Sequence, residues 1–210
     1  MNTVKKDIAA GIGIVVFGII LLFFTTNGFT AFTMEQQRVQ DLQAQPPEFP
    51  DVEVVDQTGE SYNFNDFENK HVLMTFIYTS CAAACPEMST NMKHVFELTE
   101  DKYFEDDLVF LSISFDTKRD TVEVLGRYAE YFNADAESWK MLRVPDDMEL
   151  EKLLSVYGVT VIPEGDTDYQ HNTSFYILNP EGRLIEVLDY KDPETAADIL
   201  EKYLREQEEK

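Results

Sequence analysis

Two near-continuous apolar runs, "HVLMTFIY" (His71–Tyr78) and "LVFLSISF" (Leu108–Phe115), constrain this chain more than any other feature. A strand exposed on one face alternates polar with apolar residues. Runs without alternation, each about eight residues long, belong to strands covered on both faces. Covering both faces takes helices, so the runs predict an α/β domain rather than a sandwich or a helical bundle.

The segments around the runs fit that architecture. "VEVVDQTGESYNF" reads as a hairpin turning at Thr58–Gly59, and Pro86 to Thr99 as a helix between the two buried strands. Asp120 with Glu123 has the spacing of a capping box opening the helix "TVEVLGRYAEYF". A short strand over Lys140–Val144, a helix over Asp146–Tyr157, a hairpin turning at Pro180–Gly182 and a helix over Glu194–Glu206 complete the order. It matches a thioredoxin-like fold: a mixed central sheet flanked by helices, over residues 51–210.

The N-terminal end has a different chemistry. No charged residue occurs from Ile8 to Met34, and "IAAGIGIVVFGIILLFF" (Ile8–Phe24) has the length of a membrane-crossing helix, about 17–25 residues. Lys5 and Lys6 precede it, which predicts a cytoplasmic N-terminus over 1–7, a single-pass anchor over 8–27 and an extracytoplasmic domain in the cell membrane. A cleaved signal peptide is the competing reading, and "FTAFT" (Phe29–Thr33) is a weak match to a cleavage site. Residues 28–50, polar and ending in "PPEFP", read as a stalk and linker. The net charge is −23, and Lys5, Lys6 and Asp7 contribute +1, so the chain from Ile8 onward carries −24. That sign repels nucleic acid and attracts cations or a basic protein face. Saline or alkaline surroundings select the same composition.

The only two cysteines stand at i and i+4 in "CAAACP" (Cys81–Pro86), directly after a buried strand and directly before a helix. A helix N-terminus favours thiolate, the form that attacks disulfides and ligates metals. On a helix, i and i+4 side chains stand about 5–6 Å apart at Cβ, too far for a disulfide, so Cys81 lies off the helix if the pair oxidises. A structural staple closing so short a loop adds only about 2 kcal/mol. Spacing alone leaves a redox couple and a metal site both open. Of three histidines, His71 and His94 read as structural, while His171 opens a strand expected beside the cysteine strand. Two thiolates and an imidazole form a soft, low-coordinate site that suits copper and also accepts zinc.

Taken together, "TFIYTSCAAACP", "SISFDTKRDT", "VYGV" and "HNTSFYILNPEGRL" resemble the Sco/SenC family in order and spacing, over about Phe49 to Leu204. The resemblance implies a membrane-anchored copper chaperone that binds one copper, Cu(I) or Cu(II), through Cys81, Cys85 and His171. It further implies a role in maturing the binuclear copper centre of cytochrome c oxidase subunit II, with another copper chaperone as a further partner. Asp116 and Asp120 match the family's acidic loop; Asp116 is expected to support the site and Asp120 to cap a helix. Ala82 stands where many relatives carry proline. Pro163 in "YGVTVIP" resembles the cis-proline segment of thioredoxins but is expected in ordinary loop. The alternatives are a thiol–disulfide oxidoreductase that reduces the oxidase's copper-site cysteines, which needs Cys81 and Cys85 but not His171, and a redox or copper sensor.

Overall fold

A computed structural model describes residues 2–25, 34–81, 84–104, 106–165 and 168–208. The chain divides into two compact units, Met1–Asp41 and Leu42–Lys210.

In the first unit, α1 (Asn2–Thr25) holds the apolar run in helical form, and α2 (Met34–Ala44) begins after it. Among the described residues no helix is long and apolar enough to cross a membrane. Residues 26–33, which hold the end of the expected anchor, the start of the expected stalk and the weak cleavage site, lie outside the description.

The second unit is the α/β domain. Its strands are β1 (Glu53–Val55), β2 (Ser61–Asn63), β3 (His71–Ile77), β4 (Leu108–Ser114), β5 (Trp139–Arg143), β6 (Val161–Glu164), β7 (Asp168–His171), β8 (Phe175–Leu178) and β9 (Leu184–Leu188). Its helices are α3 (Ala84–Leu98), α4 (Val122–Phe132), α5 (Asp147–Val156) and α6 (Pro193–Glu208). Seven strands form one mixed sheet in the order β2-β1-β5-β4-β3-β8-β9. The central trio is parallel, β3 with β4 and β4 with β5, and the flanking pairs are antiparallel. Parallel neighbours require a crossover, and α3 and α4 supply the two.

Both apolar runs lie at the sheet centre with all seven residues of each strand buried. Two buried hydroxyls within them are bonded: Trp139 Nε1 donates to Ser112 Oγ at 3.0 Å, and Thr75 Oγ1 donates to the Ser174 carbonyl at 3.0 Å. On α4, Leu125, Ala129 and Phe132 form the buried stripe, spaced as a helix seated on a sheet demands. The expected capping box there is corrected. Thr121 is the N-cap, accepting from Val124 N at 3.3 Å, and Asp120 is used elsewhere. The turn at Pro180–Gly182 is confirmed, with Gly182 at φ +74° and its N–H donating to the Asn179 carbonyl at 2.8 Å. Phe49 lies against this turn and stacks edge-on upon Phe64 at 4.5 Å.

Among the described residues the remaining two strands, β6 and β7, pair only with each other, with Val161 opposite His171 and Pro163 opposite Tyr169. Pro163 therefore stands in a strand, not in ordinary loop. A two-stranded ribbon has open edges, where a residue lacking N–H is tolerated.

Candidate metal centre

Strand β3 ends under its sheet neighbours, and the chain then turns through Tyr78, Thr79 and Ser80 to Cys81 before α3 begins at Ala84. Cys85 falls in the first turn of α3, and Cys81 lies off the helix, as oxidation of an i, i+4 pair requires. Both are buried, Cys85 completely and Cys81 at 8% exposure, and they are not joined in a disulfide. The Cys85 N–H points at Cys81 Sγ, 3.4 Å away. Ala82 lies outside the described residues.

His171 closes on this pair from the ribbon. Its Nε2 is 3.5 Å from Cys85 Sγ, and its Nδ1 is 2.8 Å from the Asn172 carbonyl oxygen. A carbonyl can only accept, so Nδ1 carries the proton and Nε2 presents its lone pair to the thiol. Burial lowers the His171 pKa, against a smaller opposing effect of the Asn172 carbonyl, and keeps the ring neutral. A neutral imidazole with one nitrogen bound to a carbonyl is the form that binds a metal through the other. The expected thiolate at Cys85 is corrected. Burial pushes this thiol far above its ordinary range, with Cys81 and Asp120 pushing the same way against a hydrogen bond at the Tyr78 backbone. The helix N-terminus does not outweigh the removal of water from the sulfur.

Aromatic rings enclose the imidazole: Phe115 at 4.8 Å and Tyr78 at 6.0 Å between centroids, with Tyr169 packed on both of those rings. The Tyr78 hydroxyl donates to Asp168 Oδ1 at 3.1 Å and accepts from Tyr169 N at 3.3 Å, fastening the ribbon to the end of β3. Arg119 spreads over Tyr169 and Tyr78, 5.4 and 5.9 Å from the ring centres, and pairs with the buried carboxylate of Asp116. Asp116 is thus one contact removed from the aromatic wall. Asp120, also fully buried, accepts from Thr79 N at 3.0 Å and from the hydroxyls of Thr79 and Ser114. It ties the cysteine loop to the end of β4.

Sequence reasoning named Cys81, Cys85, His171 and Asp116 but missed Tyr78, Phe115, Arg119 and Tyr169. The i, i+3 spacing of Asp116 and Arg119 was a readable ion-pair signal; the aromatic wall had none. His71 begins β3, at the opposite end of that strand from the cysteines, and His94 lies within α3. Among the described residues no three His, Cys, Asp or Glu side chains are gathered closely enough to hold a metal ion as they stand. What is assembled is the Cys85–His171 contact, with Cys81 one hydrogen bond from Cys85.

A mixed sheet with a cysteine pair where one of its inner parallel strands passes into the following helix defines a thioredoxin-like protein. Residues 40–205 match the SCO1/SenC family, and the chain belongs to that family. It is 26% identical over 140 residues to the SCO1 protein homolog of Bacillus subtilis, covering 66% of this chain and 70% of that one. Curated relatives are spanned over 40–70% of their own length. Bradyrhizobium japonicum ScoI, solved with copper bound, superposes with a TM-score of 0.62 at 26% identity, over 75% of this chain and 97% of that one. BsSco, described as a member of the Sco family of cytochrome c oxidase assembly proteins, shares the fold with a TM-score of 0.64 at 20% identity, over 76% and 94%.

Proposed function

We propose that this protein is a membrane-anchored, extracytoplasmic copper chaperone that takes one copper ion on Cys81, Cys85 and His171. Its cargo goes to the binuclear copper centre of cytochrome c oxidase subunit II. The observation that carries this reading is the 3.5 Å approach of Cys85 Sγ to the unprotonated Nε2 of His171. An oxidoreductase pair does not require an imidazole at that position, whereas a soft cation is ligated by one. Membership of the SCO1/SenC family and the copper bound to the Bradyrhizobium relative support it.

Copper enters as cargo. Capture draws the two sulfurs and the imidazole around the ion and releases the thiol protons, so uptake is tighter at higher pH. Asp116 acts through Arg119 on the aromatic wall that holds His171. The proposed anchor is residues 8–27, with 1–7 in the cytoplasm, 28–50 as the stalk and 51–210 as the domain outside. Lys5 and Lys6 support that orientation by the positive-inside rule.

Anaerobic copper titration of the reduced full-length chain in detergent, beside His171→Ala, tests the reading. One equivalent bound by the parent, with affinity at least ~10-fold weaker in the variant, is the expected result. Equal binding by both, or none by either, removes the three-ligand site and leaves Cys81 and Cys85 as a redox couple.

A further inference from the structure

Beside the aromatic wall lies a groove of about 250 Å³ between the end of β4 and helix α5. Phe115 and Tyr169 line it; Phe115 also packs on His171, 4.8 Å between centroids, and Tyr169 packs on Phe115 at 5.6 Å. Its floor continues on Leu150 and Leu154 of α5, and Asp147 and Glu151 stand exposed along its edge. Among the described residues on the lining, Lys118 is the one cation. Nothing in the ion-site chemistry uses Leu150, Leu154, Asp147 or Glu151.

We infer that this groove docks a partner protein through a segment carrying a lysine or arginine beside an apolar residue. The inference rests on the copper-chaperone reading and names the surface on which the recipient sits. Two observations select the occupant. The rim is acidic in a chain that carries −24 from Ile8 onward, which favours a basic partner at encounter and disfavours an acidic one. The floor is apolar and concave, so it takes an aliphatic side chain, and the stem of a lysine or arginine can lie along it with its charge at the rim. Because Phe115 both lines the groove and packs on His171, a segment seated against it lies one ring's thickness from the imidazole. A chaperone whose metal ligands are buried needs its recipient placed at that wall.

The test uses the full-length chain in detergent and two fluorescein-labelled hexapeptides as probes, Ala-Leu-Lys-Leu-Arg-Ala and its acidic counterpart Ala-Leu-Glu-Leu-Asp-Ala. Binding is read by anisotropy at low and at ~0.3 M salt. The expected result is that the basic peptide binds, that salt weakens it, and that Asp147→Lys with Glu151→Lys weakens it at least ~5-fold. Glu194→Lys at the start of α6, away from the groove, should leave it within about 2-fold. Equal binding of both peptides, or equal loss in the Glu194→Lys control, overturns the groove and leaves only a diffuse acidic surface. Copper titration of the double variant separates the two readings. Intact copper binding with lost peptide binding supports the groove, and intact copper binding with unchanged peptide binding sinks the groove while sparing the ion site. Lost copper binding in the double variant refutes the independence of groove and ligands on which the inference stands.

Discussion

Asp120 offers the sharpest test of how the cysteine loop is held. Its buried carboxylate accepts three hydrogen bonds: the backbone N–H of Thr79, the Thr79 hydroxyl and the Ser114 hydroxyl. Removing it with Asp120→Ala strands one backbone donor that cannot turn away and two hydroxyls that can rotate toward other acceptors. An orphaned buried donor costs about 1–3 kcal/mol, and bonds to a charged acceptor stand at the upper end of that range. Counting the N–H in full and the hydroxyls at a fraction, the loss comes to about 3–5 kcal/mol. That is a large part of the ~5–15 kcal/mol that holds a domain folded. Asp120→Asn keeps one acceptor oxygen but turns an N–H₂ toward donors, so it should fall between the parent and alanine. The assay is urea denaturation of the full-length chain in detergent, followed by Trp139 fluorescence at neutral pH. Adding Thr79→Val to Asp120→Ala should recover part of the loss, because one of the orphaned donors is then gone; Ser114 is kept, since its hydroxyl also accepts from Asp116 N at 3.1 Å. A cost below ~1 kcal/mol for Asp120→Ala, or no recovery in the combined variant, would refute the view that this carboxylate anchors the loop.

Two further outcomes are expected. Burial alone would raise the Asp56 pKa, but hydrogen bonds from Thr58 and Glu60, with the Lys140 ammonium nearby, hold it below its ordinary 3.8. The unfolded chain then binds that proton more tightly than the folded one, so the carboxylate's stabilisation is complete above about pH 4 and fades as pH falls through the lowered folded value. Urea midpoints measured from pH 7 down to 3 should drop less steeply below pH 4 in Asp56→Asn than in the parent; parallel curves would contradict this. Gly182→Ala combines a positive φ of +74° with a Cβ only 2.5 Å from Phe49 Cδ2, and should cost about 1–3 kcal/mol. Most of the excess over ~1 kcal/mol should vanish in a Phe49→Ala background, and an unchanged cost there would place the strain in the backbone alone.

The parts of the molecule that were legible in the sequence are those whose signal is local. Unbroken apolar runs announced β3 and β4, and Gly59 and Gly182 marked the two hairpin turns at positive φ. His171 was placed near the cysteines because the strand after it was expected to lie beside theirs, and β8 does pair with β3. The misreadings share one cause, which is that burial is a property of the whole fold. Asp120 and Thr121 both suit a helix cap, and Asp120 was drawn inward because Thr79 and Ser114 offered it three donors that no sequence window contains. The helix N-terminus at Cys85 argued for thiolate until the surrounding core removed the water. Pro163 argued against a strand, and "VIPE" opposite "DYQH" has neither alternation nor length to argue for one.

The ribbon formed by β6 and β7 sets a timescale. Cys85 belongs to a helix packed into the core, whereas His171 ends a two-stranded element that, among the described residues, pairs with no other strand. Two strands alone are marginal in water, and the hydroxyl of Tyr78, bonded to Asp168 and Tyr169, joins this ribbon to the end of β3. The three proposed donors are therefore anchored unequally. The sulfurs keep their places for as long as the domain stays folded, while the imidazole keeps its place for as long as the ribbon stays closed. In the proposed site, the residence time of an ion would follow the opening of this ribbon, its hydrogen bonds and ring contacts together, and the core could be far more durable than the grip it supports.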